Sequence, residues 1–154
     1  MSFKLFTSLA ALVALAACES TDETRSGMHD WPAPSATVEG PVPGSAEHFK
    51  QNGQDRVFFG FDQSKVSPDA AKTLEAQAAF AKEYPSVNYL VEGHCDERGT
   101  AEYNMALGER RANSVVKTLV AHGVDKSRLQ TVSYGKERAT GQHDMDRNAT
   151  TVVR

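Results

Sequence analysis

Cysteine and basic surface are both scarce in this chain of 154 residues. It has two cysteines, Cys18 and Cys95, and its 17 Lys and Arg are outnumbered by 20 Asp and Glu, giving a formal net charge of -3. No basic stripe with interleaved aromatic residues is present, which argues against nucleic acid as a partner. Once Cys18 is assigned to lipid, as argued next, Cys95 is left alone and no intramolecular disulfide can form. Cys95 is therefore either buried or reactive.

Long hydrophobic runs are missing as well. The apolar and small-residue run over residues 5–17 has thirteen residues, with Lys4 before it. As a helix it extends about 20 Å against about 30 Å of hydrocarbon core, which is typical of a signal peptide and too short for a membrane span. The run ends in Leu15-Ala16-Ala17-Cys18, which is similar to a bacterial lipobox. A plain secretory signal with a chance cysteine at its end is the alternative.

The lipobox predicts that residues 1–17 are removed and that Cys18 carries the acyl chains. Two or three chains, each contributing about 0.8 kcal/mol per methylene, make such an anchor effectively permanent. Glu19 follows the cysteine where an aspartate retains lipoproteins in the inner membrane of enteric bacteria. We therefore expect a lipid-anchored protein on the periplasmic face of the outer membrane.

Residues 18–54 are predicted to be the lipidated N-terminus and a flexible tether. Four of the six prolines lie in this segment, together with Ser, Thr, Gly and scattered charge. Such a composition favours extended conformations and lacks the apolar periodicity needed to bury a core. The globular domain is accordingly predicted over residues 55–154.

The domain reads as alternating strands and helices. Ser67-Pro68-Asp69 is a helix start with an N-cap, a proline at the first position and an acid in the first turn, and Pro85 ends that helix. Strands are predicted over residues 57–61, 87–93, 129–134 and 150–153, and helices over 68–84 and 107–122. The order βαβαββ predicts an α+β two-layer sandwich, with both helices on one face of a mixed sheet.

One stretch, residues 92–111, stands out for its chemistry. Asp96 lies at the end of a predicted strand, and Arg111 follows fifteen residues later, near the start of the second predicted helix. A glycine-containing turn between them can fold the carboxylate and the guanidinium toward one point, where they would clamp a zwitterion. A structural salt bridge between the two side chains is the competing interpretation.

The neighbouring His94-Cys95-Asp96 also suggests a metal site or a thiol enzyme. Successive strand residues point to opposite faces, so these three do not converge on one ion, and no CxxC or spaced His pair supplies further ligands. A positioned base and an oxyanion hole have no signature in the sequence. We therefore predict no metal, no cofactor and no catalytic activity.

Four motifs carry a family resemblance: FGFD at 59–62, VEGHCDERGTAEYN at 91–104, LGERRANSV at 107–115 and VSYGKE at 132–137. Through them residues 57–135 resemble the OmpA-like peptidoglycan-binding domain. With the lipobox and the tether upstream, the chain is similar to the peptidoglycan-associated lipoproteins of the Tol-Pal system. The resemblance implies an OmpA C-terminal-like fold and TolB and other Tol-Pal components as partners.

The resemblance also implies a ligand, the free amino acid end of diaminopimelate in a peptidoglycan stem peptide. Asp96 would accept hydrogen bonds from its ammonium, and Arg111 would offer its carboxylate a bidentate fork where lysine gives a point charge. The implied pocket residues are Asp62, Asn104 and Leu107, with Phe61 and Thr100 nearby. Asp62 as a strand terminator and Asn104 as a turn cap remain alternatives.

Two departures from the family pattern stand out. Cys95 replaces the usual alanine or threonine between the histidine and the aspartate. The segment after Lys136 is short and reads Arg147-Asn148 where the family has paired arginines, which puts the last strand and part of the ligand wall in doubt. The second candidate function follows from this loss: a periplasmic docking protein for TolB-like partners, with weak or no peptidoglycan binding.

Overall fold

The computed structural model describes residues 40–53 and 55–154. The predicted signal peptide, the lipidation site Cys18 and most of the predicted tether lie outside these residues. Four strands form one mixed sheet: β1 (Arg56–Phe58), β2 (Tyr89–His94), β3 (Leu129–Gly135) and β4 (Asn148–Val153). Four helices accompany it, α1 (Ala46–Gly53), α2 (Pro68–Glu83), α3 (Ala101–Ala121) and the short α4 (His143–Asp146), with a 3-10 turn at Lys126–Arg128.

The sheet confirms the predicted α+β fold. Its strand order is β1-β4-β2-β3, in which β2 and β3 run parallel and the other two pairs antiparallel. Helices α2 and α3 pack on one face, where alternate strand residues bury a common core: Val57, Tyr89, Val91, Leu129 and Ala149 from the sheet, with Leu74, Ala78, Val115 and Leu119 from the helices. All residues of this core lie between Phe49 and Val153.

The last strand, β4, is internal to the sheet. It pairs with β1 on one side, where Ala149 lies opposite Val57, and with β2 on the other, where the same residue lies opposite Gly93. The short segment after Lys136 therefore does not prevent β4 from forming and pairing on both sides. A strand with a partner on each side has all its ladder positions available for pairing, which a strand at the edge does not.

Helix α2 forms as predicted. The Ser67 hydroxyl oxygen accepts a hydrogen bond from the Ala70 amide at 3.2 Å, and Pro68 opens the helix. The cap satisfies one amide that has no partner in the first turn, and the proline supplies the fixed backbone angle of a first helical residue.

The segment predicted as the end of the tether contains helix α1. Its Phe49 is 1% exposed and meets the rings of Phe80 and Tyr89 at centroid distances of 5.1 and 5.6 Å. The prediction of a flexible tether is therefore wrong from residue 46 onward. A single aromatic in an otherwise polar eight-residue segment gives no periodicity from which to predict a helix, and its burial depends on the aromatic residues of α2 and β2.

Helix α3 begins six residues before the predicted start at 107. Thr100 is its N-cap and accepts a hydrogen bond from the Tyr103 amide at 3.2 Å. The first buried residues of the helix recur at helical spacing but are mostly not apolar: Asn104, Leu107, Gly108 and Arg111. Apolar periodicity does not reveal such a stripe, and the predicted start was therefore too late. Because the helix begins at Ala101, Arg111 lies in its third turn rather than near its start.

Two glycines bring α3 directly onto β2. A Cβ built on Gly93 would lie 1.9 Å from the Gly108 carbonyl oxygen, and one on Gly108 would lie 2.3 Å from the Ser133 hydroxyl oxygen. Neither position tolerates a side chain at this separation. This contact sets the buried stripe of α3 against the end of β2, which is where Asp96 follows.

Within the described residues, no helix has the combined length and apolar character that crossing a membrane requires.

Candidate functional site

A cavity of about 180 Å³ opens where β2 ends beside the first turns of α3. We call it the front site. Six of the seven predicted binding residues line it: Phe61, Asp62, Asp96, Asn104, Leu107 and Arg111. The seventh, Thr100, does not line it and acts as the N-cap of α3. Five further residues complete the wall: Cys95, Arg98, Gly99, Tyr103 and Arg147.

Asp96 is 4% exposed and is held by two arginines. Arg98 donates to it from its backbone amide at 3.3 Å, from Nε at 3.1 Å and from Nη2, and Arg147 Nη1 lies 3.4 Å from Oδ2. Burial acts to raise the pKa of Asp96, but the hydrogen bonds from Arg98 and Arg147 and the charge of Arg98 outweigh it, so the pKa lies below its usual value. The carboxylate is therefore ionised at neutral pH.

Arg111 is fully buried, and within the described residues the ion pairs of Asp96 are with Arg98 and Arg147 rather than with Arg111. Its guanidinium donates to three backbone carbonyls: Gln63 at 2.8 Å, His94 at 2.7 Å and Gly60 at 3.2 Å. These bonds use three of the five N–H groups of a guanidinium. Burial lowers the pKa of Arg111, which the nearby Cys95 and Asp96 oppose. Arg111 thus ties the loop after β1 to the end of β2 and places a fixed cation in the cavity wall.

The loop that Arg111 holds contains the one described non-glycine residue with a left-handed backbone. Asp62 has φ of 57°, and its carboxylate accepts a hydrogen bond from the Tyr103 hydroxyl. Such backbone angles are uncommon outside glycine and cluster at ligand sites. Asp62 is therefore more than a strand terminator, because its side chain reaches across to α3 at the mouth of the cavity.

Asn104 and Cys95 are internal supports of the cavity. Asn104 is 2% exposed and donates from Nδ2 to the Arg98 carbonyl at 2.7 Å, which fixes the loop after Asp96. The Cys95 thiol donates to the Asn104 carbonyl at 3.3 Å. Burial raises the pKa of the Cys95 thiol, so of the two predicted states, buried or reactive, the structure shows the buried one.

Aromatic side chains form the rim. Phe61 is 60% exposed and Tyr103 46% exposed, and the Arg98 guanidinium lies 4.2 Å from the centroid of the Phe61 ring. Leu107 supplies an apolar floor and is 5% exposed. The front site therefore combines charged groups with apolar walls, which strengthens electrostatic interactions inside it relative to open solvent.

Sequence reasoning missed Arg98, Tyr103 and Arg147. Arg147 donates from Nε to the Phe59 carbonyl at 3.1 Å and also contacts Asp144, besides Asp96. The absence of paired arginines had put part of this wall in doubt, but Arg147 does supply an arginine to it. Asn148 stands at the second position and donates from Nδ2 to the Met145 carbonyl at 2.7 Å. The available signal was Arg147 directly before a strand, and Arg98 two residues after Asp96.

A second cluster occupies the other face of the sheet. Glu92 accepts from Arg138 Nη1 at 3.3 Å and lies 3.6 Å from His94 Nε2. Arg138 stacks on Tyr134, with its guanidinium carbon 3.3 Å from the ring centroid. We call Glu92, His94 and Arg138 the rear cluster; a cavity of about 400 Å³ adjoins it.

Burial lowers the pKa of His94 in this cluster, with Arg138 and Arg56 acting in the same direction and Glu92 against it. Among residues 40–53 and 55–154, no three His, Cys, Asp or Glu side chains are placed to hold a metal ion.

Known proteins with similar sequences and structures give the family. Residues 58–152 match the OmpA family. A peptidoglycan-associated lipoprotein of Mesorhizobium japonicum is 46% identical over 130 residues, which cover 84% of this chain and 76% of that protein. One from Brucella melitensis is 44% identical over 118 residues, covering 73% of this chain and 70% of that protein.

The solved structure of the peptidoglycan-associated lipoprotein from Burkholderia pseudomallei is also similar. It has a TM-score of 0.62 and 34% sequence identity, and the match covers 65% of this chain and 90% of that one. The chain therefore belongs to the OmpA family, among the peptidoglycan-associated lipoproteins.

Proposed function

We propose that this protein is an outer-membrane lipoprotein that binds peptidoglycan without a covalent bond. Acyl chains on Cys18 anchor it at the periplasmic face, and the front site binds the zwitterionic end of diaminopimelate in an uncrosslinked stem peptide. The protein thereby links the outer membrane to the cell wall as part of the Tol-Pal system, in envelope integrity and constriction. Its role is binding and not catalysis.

The observation that carries this proposal is the convergence of Asp96 and Arg111 on one small cavity with apolar walls. An amino acid end presents an ammonium and a carboxylate on the same carbon, so its receptor needs an anion and a cation close together. Asp96 is ionised, and Arg111 is fixed by three carbonyls, so the charge of each group is already in place before the ligand enters. The name of the relatives, peptidoglycan-associated lipoprotein, points to the same class of ligand.

The two carbonyl-bound ends of Arg111 refine the proposed clamp. Nη1 and Nη2 each donate to a carbonyl, so the ligand carboxylate would receive only the remaining N–H groups. A second cation, Arg147, lies in the same wall. We propose that the field of the buried Arg111 and the partly buried Arg147 attracts the ligand carboxylate, with Arg111 as the nearer donor.

The docking function without peptidoglycan binding loses its support. It rested on an incomplete last strand and a missing arginine, whereas β4 is paired on both sides and Arg147 lines the front site. TolB remains a proposed partner of the peptidoglycan-binding protein. We propose that the surface of this protein that binds TolB overlaps the front site. Purified TolB should then reduce binding of the protein to sacculi.

Co-sedimentation with purified sacculi tests the proposed function. Wild-type protein should sediment with sacculi, and Asp96→Ala and Arg111→Ala should each remain in the supernatant. Because Arg111 also ties the loop to β2, Arg111→Lys and a thermal unfolding curve separate loss of binding from loss of folding. Folded Asp96→Ala protein that sediments like wild type would show that the clamp is wrong.

A further inference from the structure

Arg98 stands where a ligand ammonium would have to be. Its guanidinium donates to the Asp96 carboxylate from two nitrogens and lies 4.2 Å from the centre of the Phe61 ring. A carboxylate and an aromatic face are the two groups that attract an ammonium in a binding pocket. One internal cation therefore occupies both.

With Arg98 in this position, the charged partners of the carboxylate are already in place. Asp96 is 4% exposed, its Oδ2 faces the side chains of Arg98 and Arg147, and its Oδ1 accepts from the Arg98 backbone amide. A ligand ammonium that pairs with Oδ2 therefore requires that one of the two arginines leaves.

The structure indicates which of them leaves. The Arg147 side chain is 13% exposed and is also bonded to the Phe59 carbonyl and to Asp144. The Arg98 side chain is 43% exposed and is held by hydrogen bonds to Asp96 and by the Phe61 ring. An exposed guanidinium recovers its hydration when it swings out, so its departure costs less than that of a buried one.

We propose that Arg98 is a gate: its guanidinium imitates the ligand ammonium and must be displaced from Asp96 and Phe61 before diaminopimelate binds. The inference rests on the proposed function and identifies a residue that sets the affinity threshold of that site. The displacement cost applies to every ammonium ligand. A lysine side chain lacks the carboxylate for Arg111, so this cost makes its binding too weak to be significant. The zwitterion has both charged groups and still binds.

Calorimetric titration of the protein without its acyl anchor, residues 19–154, tests the gate. The ligands are a tripeptide that ends in meso-diaminopimelate and the same peptide with lysine in that position. Arg98→Ala should bind both peptides more tightly, by about tenfold, because a charge-assisted pair no longer has to be broken. Arg138→Ala in the rear cluster is the matched control, since its side chain is 51% exposed and also paired with one carboxylate, and it should bind like wild type.

The outcomes separate the gate from other roles. Weaker binding of the diaminopimelate peptide by folded Arg98→Ala would make Arg98 a ligand contact and overturn the gate, and unchanged binding would overturn it as well. Failure of wild-type protein to bind that peptide would overturn the proposed function and the gate together. A carbon-13 titration of Asp96 adds a second readout: its pKa should rise in Arg98→Ala and stay unchanged in Arg138→Ala.

Discussion

The front site and the rear cluster each place a carboxylate beside an arginine. The two carboxylates, Glu92 and Asp96, are four residues apart in the sequence. Asp96 pairs with Arg98 and Glu92 with Arg138, and the two arginine side chains have similar exposure, 43% and 51%. At the front, the pair lies over an apolar floor and beside the fixed cation Arg111. At the rear, the arginine is stacked on Tyr134 and shares its carboxylate with a histidine.

Under the proposed function, the comparison means that an ion pair alone does not make a zwitterion site. The front carboxylate has a second, separately anchored cation within the same cavity, and its own arginine lies on an exposed aromatic ring that a ligand can use. The rear carboxylate has no fully buried arginine in its cavity wall among the described residues. Within the described residues, the front arrangement combines its carboxylate with a fully buried arginine held by carbonyls, whereas the second arginine of the rear cavity wall, Arg56, is exposed.

The largest expected effect comes from the glycine between the two regions. Gly93→Ala directs a methyl group at the Gly108 carbonyl oxygen, 1.9 Å from the new Cβ, so α3 has to move away from β2. We expect a loss of more than about 3 kcal/mol in the free energy of unfolding, above the usual cost of overpacking. Urea unfolding measures it, and Gly40→Ala is the control because no atom lies within 4 Å of its Cβ. Wild-type stability for Gly93→Ala would contradict the close helix-strand contact.

A core change far from both regions separates stability from binding. Phe49→Ala removes the aromatic by which α1 packs on α2 and β2, and we expect it to cost about 3 kcal/mol of unfolding free energy. Affinity for the diaminopimelate tripeptide should stay within about twofold at a temperature where the protein is folded. A large loss of affinity in folded Phe49→Ala protein would mean that α1 contributes to the front site.

Nearly isosteric changes of the two carboxylates address the comparison itself. Asp96→Asn should weaken the tripeptide by at least about tenfold, because a neutral amide replaces the ionised partner of the ammonium. Glu92→Gln should change the affinity by less than about twofold, since it lies on the opposite face of the sheet. Calorimetry on both variants gives the answer, and equal losses would dissolve the distinction between front and rear.

The smallest expected effects concern pH, and the two regions should titrate in different windows. His94 has a pKa lowered from 6.5 by burial, so its contribution to stability is present above 6.5 and lost as the pH falls toward the lowered value. Asp96 has a pKa below 3.8, so its contribution persists to lower pH and is lost as the pH falls from 3.8 through the folded value.

Unfolding free energies of wild type, His94→Gln and Asp96→Asn between pH 8 and about pH 3 resolve the two windows. The difference between wild type and His94→Gln should change below pH 6.5, and that between wild type and Asp96→Asn only near pH 3.8 and lower. A single shared window would show that the two regions are electrostatically coupled through β2.

The sequence predicted the fold class and helix α2 because these depend on local signals: an N-cap, a terminating proline and the alternation of apolar residues. It missed α1 and the first turns of α3. Phe49 finds its partners only in the folded chain, and the first part of the buried stripe of α3 consists of Asn104, Gly108 and Arg111 with one leucine. A search for apolar periodicity does not detect a buried arginine, even though three carbonyls accept hydrogen bonds from its guanidinium.

The front site was predictable in part. The family resemblance gave Phe61, Asp62, Asp96, Asn104, Leu107 and Arg111, all of which line the cavity, and it gave Thr100, which does not. The contacts of Arg98 and Arg147 with Asp96 could not be predicted, because they depend on loop conformation and on a segment 51 residues away. Their identity as charged residues near a motif did not reveal which carboxylate they would contact.

The most direct test of a zwitterion site at the front is an NMR titration of the non-lipidated protein with the diaminopimelate tripeptide, following side-chain signals of arginines and carboxylates. We expect saturable shifts at Asp96, Arg98 and Arg111, and none at Glu92 or Arg138. Shifts confined to the rear cluster, or no shift at Asp96 at saturation, would contradict it.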